Sequence, residues 1–390
     1  MLGAGVFAAL APAARAAGPG LLLGLAIAAV VAYCNATSSA RLAALYPESG
    51  GTYVYGRRRL GPFWGYLAGW SFVVGKTASC AAMALTFASY AAPSHLRLVG
   101  AVAVVALTAL TVRGVQKSAW ATRVIVSLVL LVLAAVVVAC LAGGTAAPAR
   151  LSPFPGSGVH GVLQAGGLLF FAFAGYARIA TLGEEVREPA RTIPRAITVA
   201  LAITVVVYAA VALAALLAAG APALAGSPAP LRTAVEAGSL HWLGPAVQVG
   251  GALASLGSLL ALLLGVSRTT LALARDRYLP SALADVHPRL GVPQHAEVAV
   301  GVVVLVLVLT TDLRSAIGFS SFGVLVYYGI ANASAFTLTA AERRPPRWLP
   351  VLGLLGCAIL AVSLPAVSVL SGVAVLALGC VAYLATRRGS

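Results

Sequence analysis

Apolar residues fill the chain in long runs, at roughly 1–14, 20–46, 63–92, 98–112, 120–143, 161–183, 193–219, 244–272, 296–311, 316–341, 349–364 and 366–386. These runs number about twelve, and most exceed the ~20 residues that a membrane-spanning helix needs. The polar stretches between them are short, except at 221–243 and 273–295. The pattern predicts an all-α, polytopic membrane protein with a single transmembrane domain over residues 1–390.

Composition agrees. Hydrophobic residues make up 61% of the chain and charged residues only 9%, with a mean hydropathy of +0.98. A soluble domain carries roughly 25% charged residues. This chain could not cover its own surface with polar groups, so the lipid bilayer is its expected solvent. The net charge of +16 raises the question of nucleic acid. The basic residues, however, occur singly or in short clusters between apolar runs, not along one helix face. No nucleic-acid partner is expected.

Placing the start of the first run on the cytoplasmic side puts the dense basic clusters inside. These include Arg57, Arg58 and Arg59; Arg187, Arg191 and Arg195; Arg275, Arg277 and Arg289; and Arg343, Arg344 and Arg347. The outside loops then hold Arg15, Arg97, Arg150, Arg232 and Arg314. This asymmetry follows the positive-inside rule. Trp64, Trp120, Trp242 and Trp348 fall near run ends, as interfacial anchors do. The expected location is the plasma membrane, with both natural termini cytoplasmic. Cys34, Cys80, Cys140, Cys357 and Cys380 lie inside apolar runs and read as small buried hydrophobes. No metal site or cofactor is expected.

The first run is short. Fourteen residues of helix rise about 21 Å, against a hydrocarbon core of ~30 Å. The expectation is a chain that lacks its natural beginning.

Two features carry candidate chemistry. Gly3-Ala4-Gly5-Val6-Phe7 opens the first run. It superficially matches a dinucleotide fingerprint, but no strand or βαβ unit accompanies it. It reads either as an unwound helix segment whose N–H groups face an anion, or as close helix packing. The second feature is the stretch from Gly166 to Arg178 in the sixth run, where Gly175 precedes an arginine still within the span. Arg178 is a candidate functional charge, or pairs with Glu185 on the same helix face. The two features occupy corresponding places in successive groups of five. Paired interrupted helices point to a solute transporter and its binding site.

Other motifs have narrower readings. Gly61, Gly65 and Gly69, at four-residue spacing, read as a close-packing stripe. Glu184, Glu185, Arg187, Glu188, Arg191 and Arg195 could form an ion-pair network after the sixth run, or a solvated turn bounded by Pro189 and Pro194. Lys76 lies well inside the third run. It could carry a proton, or be capped by carbonyls or reach a wet cavity. Asn35 and Asn332 head formal glycosylation sequons, but within spans. Lys76, Arg178, Glu184 and Glu185 are the candidates for coupling or gating.

At several of these motifs the chain resembles the amino acid–polyamine–organocation permeases, in their cationic-amino-acid-transporter-like branch. The carriers are Gly3 to Phe7, Tyr46-Pro47-Glu48-Ser49-Gly50-Gly51-Thr52-Tyr53-Val54-Tyr55, Leu60 to Gly65, Gly175 to Ile197, and Ala274-Arg275-Asp276-Arg277-Tyr278-Leu279-Pro280. The resemblance implies a leucine-transporter fold, with an inverted repeat of 1–143 and 161–341 and two additional helices over 349–386. It implies a substrate carboxylate at Gly3, Ala4 and Gly5, and an amine at carbonyls of Phe171, Ala172 and Ala174, with Phe171 as lid. It also implies alternating-access transport of an amino acid, with protons or exchange as the energy source. The chain departs from the family at Val129, where some proton-coupled relatives carry lysine. It departs again at Ala177, often Asp in the cationic branch, and at Arg41, commonly acidic.

No Asp or Glu falls within a span core. A buried cationic side chain left unpaired is costly. The expected substrate is therefore a neutral amino acid, with a cationic amino acid or polyamine as the alternative. A membrane-embedded enzyme or a non-transporting scaffold is the alternative of another class. An enzyme would need titratable groups clustered at one depth, and these runs lack them.

Overall fold

The computed structural model describes residues 3–48, 50–114, 119–176, 188–342 and 345–388. Every regular element among them is helical. The helices are α1 (Gly5–Ala17), α2 (Leu21–Leu45), α3 (Thr52–Arg59), α4 (Pro62–Ala91), α5 (Leu96–Val112), α6 (Ala119–Ala142), α7 (Val159–Phe173) and α8 (Pro189–Ala219). They continue as α9 (Ala221–Gly226), α10 (Pro230–Glu236), α11 (Gly244–Arg275), α12 (Gln294–Thr310), α13 (Leu313–Phe336), α14 (Trp348–Ser363) and α15 (Ala366–Arg388). Among the described residues each of the apolar runs contains one long helix, and α3, α9 and α10 are short helices in the connections. Eight helical stretches among the described residues are long and apolar enough to cross a membrane, one of them continuing from α1 through α2. The helices α7, α12 and α14 are shorter and apolar.

Local chemistry sets the helix limits. Gly61 takes a φ of 107° and Pro62 follows at the first helical position, where its missing N–H costs nothing. Hydroxyl groups inside the spans are satisfied by their own helix. Thr77, Thr86, Ser89, Ser255 and Ser267 each donate to the carbonyl four residues earlier. This back-bonding lets a polar side chain sit in an apolar helix without an unmet donor.

The core is built around α4 and α13, which pack along each other while α4 also packs along α11. Gly75 and Gly323 bring α4 and α13 into backbone contact, since a Cβ on Gly323 would lie 3.0 Å from the Gly75 Cα. Numbered by run, helix one packs on six, two on seven, three on eight and four on nine. The outer faces of α5, α12 and α15 are apolar and exposed, as lipid contact requires. The indoles of Trp64, Trp120, Trp242 and Trp348 are exposed near helix ends.

The glycine stripe divides. A Cβ on Gly65 would meet the backbone of Arg57, and one on Gly69 would meet Leu273 and Tyr53. Gly61 faces open space, so its role is the positive φ before α4, not packing. The sequon residues Asn35 and Asn332 are fully buried and bonded to each other. Asn332 Nδ2 donates to Asn35 Oδ1 at 2.6 Å, and Ser38 Oγ donates to Asn332 Oδ1 at 2.7 Å. All five cysteines are free thiols, four of them buried.

Candidate functional site

Gly3 and Ala4 precede α1, whose first helical bond runs from Ala8 N–H to the Ala4 carbonyl at 3.0 Å. The N–H groups of Gly5, Val6 and Phe7 therefore have no acceptor within the helix. They form the positive end of the α1 dipole. The Ala4 N–H donates to Ser258 Oγ of α11 at 3.4 Å, and a Cβ on Gly3 would lie 2.6 Å from the same oxygen.

On the other side, α7 stops at Phe173 and gives way to a tighter turn over Ala174–Tyr176. The last carbonyls of α7 point past its end and form the negative pole. The two helix ends touch. A Cβ on Gly5 would lie 2.6 Å from the Ala172 Cα and 2.8 Å from its Cβ, so only glycine permits this approach. Phe171, Ala172 and Ala174 are all buried. The structure thus brings Gly5 against Ala172, joining the two segments that hold the expected substrate-site residues, from helices far apart in sequence.

The expected amine-receiving carbonyls are not vacant. The Phe171 carbonyl accepts from the Ala174 N–H. The Ala172 carbonyl accepts from the Tyr208 hydroxyl of α8 at 3.3 Å. The Ala174 carbonyl accepts from Lys76 Nζ of α4 at 3.2 Å. Each carbonyl retains a second lone pair. Lys76 is buried at 6% exposure. Val129 is apolar and buried in α6. Arg178, Glu184 and Glu185, with the proposed Arg178–Glu185 pair, lie outside the described residues.

Tyr90 covers the first turn of α1. The Tyr90 hydroxyl donates to the Phe7 carbonyl at 3.3 Å and accepts from the Leu231 N–H of α10 at 3.4 Å. The Phe7 and Tyr90 rings meet edge to face at 5.5 Å.

At the arginine-rich end, two of the resemblance motifs meet. Tyr53 and Arg57 of α3 both donate to the Asp276 carboxylate, Arg57 at 2.9 Å. A cavity of about 320 Å³ opens beside them, lined in part by Glu48, Arg268 and Arg275.

The carboxylates among the described residues lie in loops or at helix ends: Glu48, Glu188, Glu236, Asp276, Asp285, Glu297, Asp312 and Glu342. Of these, Glu297 is buried, in the first turn of α12 near Thr111 and Arg268. Among the described residues no His, Cys, Asp and Glu group is arranged to hold a metal.

Sequence reasoning missed Ser258, Tyr208 and Tyr90. A lone tyrosine within an apolar run carries a signal, because a buried hydroxyl needs a partner. Ser258 carries none, since most span serines bond their own helix.

The family model described as amino acid permease matches residues 1–384. The chain belongs to the amino acid permease family. It is a transporter and not an enzyme. It is 65% identical over 392 residues to an uncharacterised transporter of Mycobacterium tuberculosis, covering 100% of this chain and 89% of that protein. It is 25% identical over 421 residues to a branched-chain amino acid permease of Bacillus subtilis, covering 100% of this chain and 90% of the relative. Human cationic amino acid transporter 4 is 29% identical over 374 residues, which span 89% of this chain and 58% of that one.

Proposed function

We propose that this permease moves a neutral amino acid across the plasma membrane by alternating access. The observation that carries the reading is the contact of the α1 N-terminus with the α7 C-terminus at Gly5 and Ala172. Opposite helix poles side by side suit a zwitterion: N–H groups of Gly3 to Gly5 take the carboxylate, and carbonyls of Phe171, Ala172 and Ala174 take the ammonium. Phe171 acts as the lid.

The packing of helix one on six, two on seven, three on eight and four on nine supports a division into two five-helix repeats, 1–143 and 161–341, with 349–386 added. The basic residues support a cytoplasmic assignment for the α3 end. A proton gradient or substrate exchange supplies the energy, with Lys76 as the candidate carrier.

The relatives' names include both branched-chain and cationic substrates. The position of the carboxylates favours the neutral class, because the buried acid among the described residues, Glu297, lies near Thr111 and Arg268, and none of the described carboxylates is bonded at the α1–α7 contact. Uptake of an amino acid panel into proteoliposomes tests the proposal. Saturable uptake of neutral amino acids is expected. A profile dominated by arginine or a polyamine would refute the neutral assignment, and silence across the panel would refute amino acid transport.

A further inference from the structure

We propose that Lys76 is a specificity-determining residue, whose ammonium keeps cationic amino acids out of the site. The inference rests on the amino acid reading above and adds a residue and a rule to it.

Among the described residues, the buried charged side chains are Lys76 and Glu297. Glu297 sits in the first turn of α12, while Lys76 reaches the α7 break itself. Its Nζ lies 3.2 Å from the Ala174 carbonyl, two residues beyond the Ala172 that touches Gly5. The other described groups bonded there are the uncharged hydroxyls of Tyr208 and Ser258. Among the described residues, the charged side chain bonded at the break is therefore a positive one.

A cationic side chain entering this site meets two penalties. It loses hydration and faces a like charge in surroundings that screen it poorly. A neutral side chain meets neither penalty. The selection works by repulsion, which discriminates without adding affinity for the preferred substrate.

The test compares three ligands of one shape: norleucine, its ε-hydroxy analogue and lysine. Binding to the purified full chain in nanodiscs is measured by ligand-induced thermal stabilisation and radioligand competition. Lysine should bind more weakly than the ε-hydroxy analogue by more than about tenfold, since like-charge juxtaposition is strongly unfavourable. Lys76→Met should close most of that gap, and Lys76→Arg should preserve it. If wild-type protein binds lysine as tightly as the ε-hydroxy analogue, the proposal is overturned while amino acid transport stands; this comparison needs no variant to fold. An unchanged ratio in a monodisperse Lys76→Met protein overturns it equally. Failure of all three ligands to bind would remove the amino acid reading and this inference together.

Discussion

Asn332 accepts from Ser38 and donates to Asn35, and Cys357 Sγ lies 3.4 Å from the same Asn35 oxygen. The cluster ties α2, α13 and α14 together where no water reaches. Removing one partner strands the others, at a cost of roughly 1–3 kcal/mol for each buried polar group left unmet. Asn332→Leu should lower the melting temperature of the purified protein by several degrees. The double variant Asn35→Val with Asn332→Leu should lose less than the sum of the two single losses, and strict additivity would show that the pair is not coupled. A second prediction concerns Gly5. Its Gly5→Ala variant forces a methyl group into the Ala172 Cα, separating the two helix ends. The variant should remain folded by size-exclusion profile and lose amino-acid-induced stabilisation. Undiminished stabilisation would move the site elsewhere. Gly5 was legible as part of an unwound segment or as a close-packing glycine, and the structure shows the packing. Its contact with Ala172 was not, because spacing along one chain says nothing about which helix lies opposite.

The helix α3 shows the same limit one level up. Its arginines are consecutive, so they point about 100° apart around the helix. They reach three different carboxylates: Arg57 pairs with Asp276, Arg58 with Glu48 and Arg59 with Glu342. The motif was visible in the sequence as a basic cluster between spans. Its function as a clamp depends on Asp276 and Glu342, which the fold brings from the ends of α11 and α13. Exposed pairs contribute little singly, and Arg59–Glu342 is the least exposed of the three. The bond from Arg59, with help from the Thr339 N–H, holds the Glu342 carboxyl down at about 2. A folded-state value below the ordinary carboxylate range of ~4.3 means the contact is fully present above that range. It is lost as pH falls from there through about 2. Amide exchange in α3, corrected for its intrinsic pH dependence, should therefore accelerate across this window. Glu342→Gln should show the faster exchange already at neutral pH and lose the acid step. An acid step that persists in Glu342→Gln would assign it to another group.

Across the described molecule, the long helices were legible because lipid leaves a span few choices: apolar side chains and an internally bonded backbone. What pattern could not supply was the meeting of α4 with the break after α7, where Lys76 donates to Ala174. That bond joins a helix at the centre of the packing to a segment that the proposed alternating access would move. Proton loss from Lys76 would leave a neutral amine, a weaker donor to the Ala174 carbonyl, and would remove the charge from the site, loosening the break from α4. A proton moving with substrate would then be linked to movement of the broken helix, which is the differential contact that coupling requires. Lys76→Met holds the site in one charge state at every pH. In proteoliposomes with an inward proton gradient, wild type should accumulate a neutral amino acid above its equilibrium level, and Lys76→Met should not. Any exchange the variant still performs should no longer respond to pH. Full gradient-driven accumulation by Lys76→Met would show that the proton travels by another route, and would leave the lysine with its part in substrate selection alone.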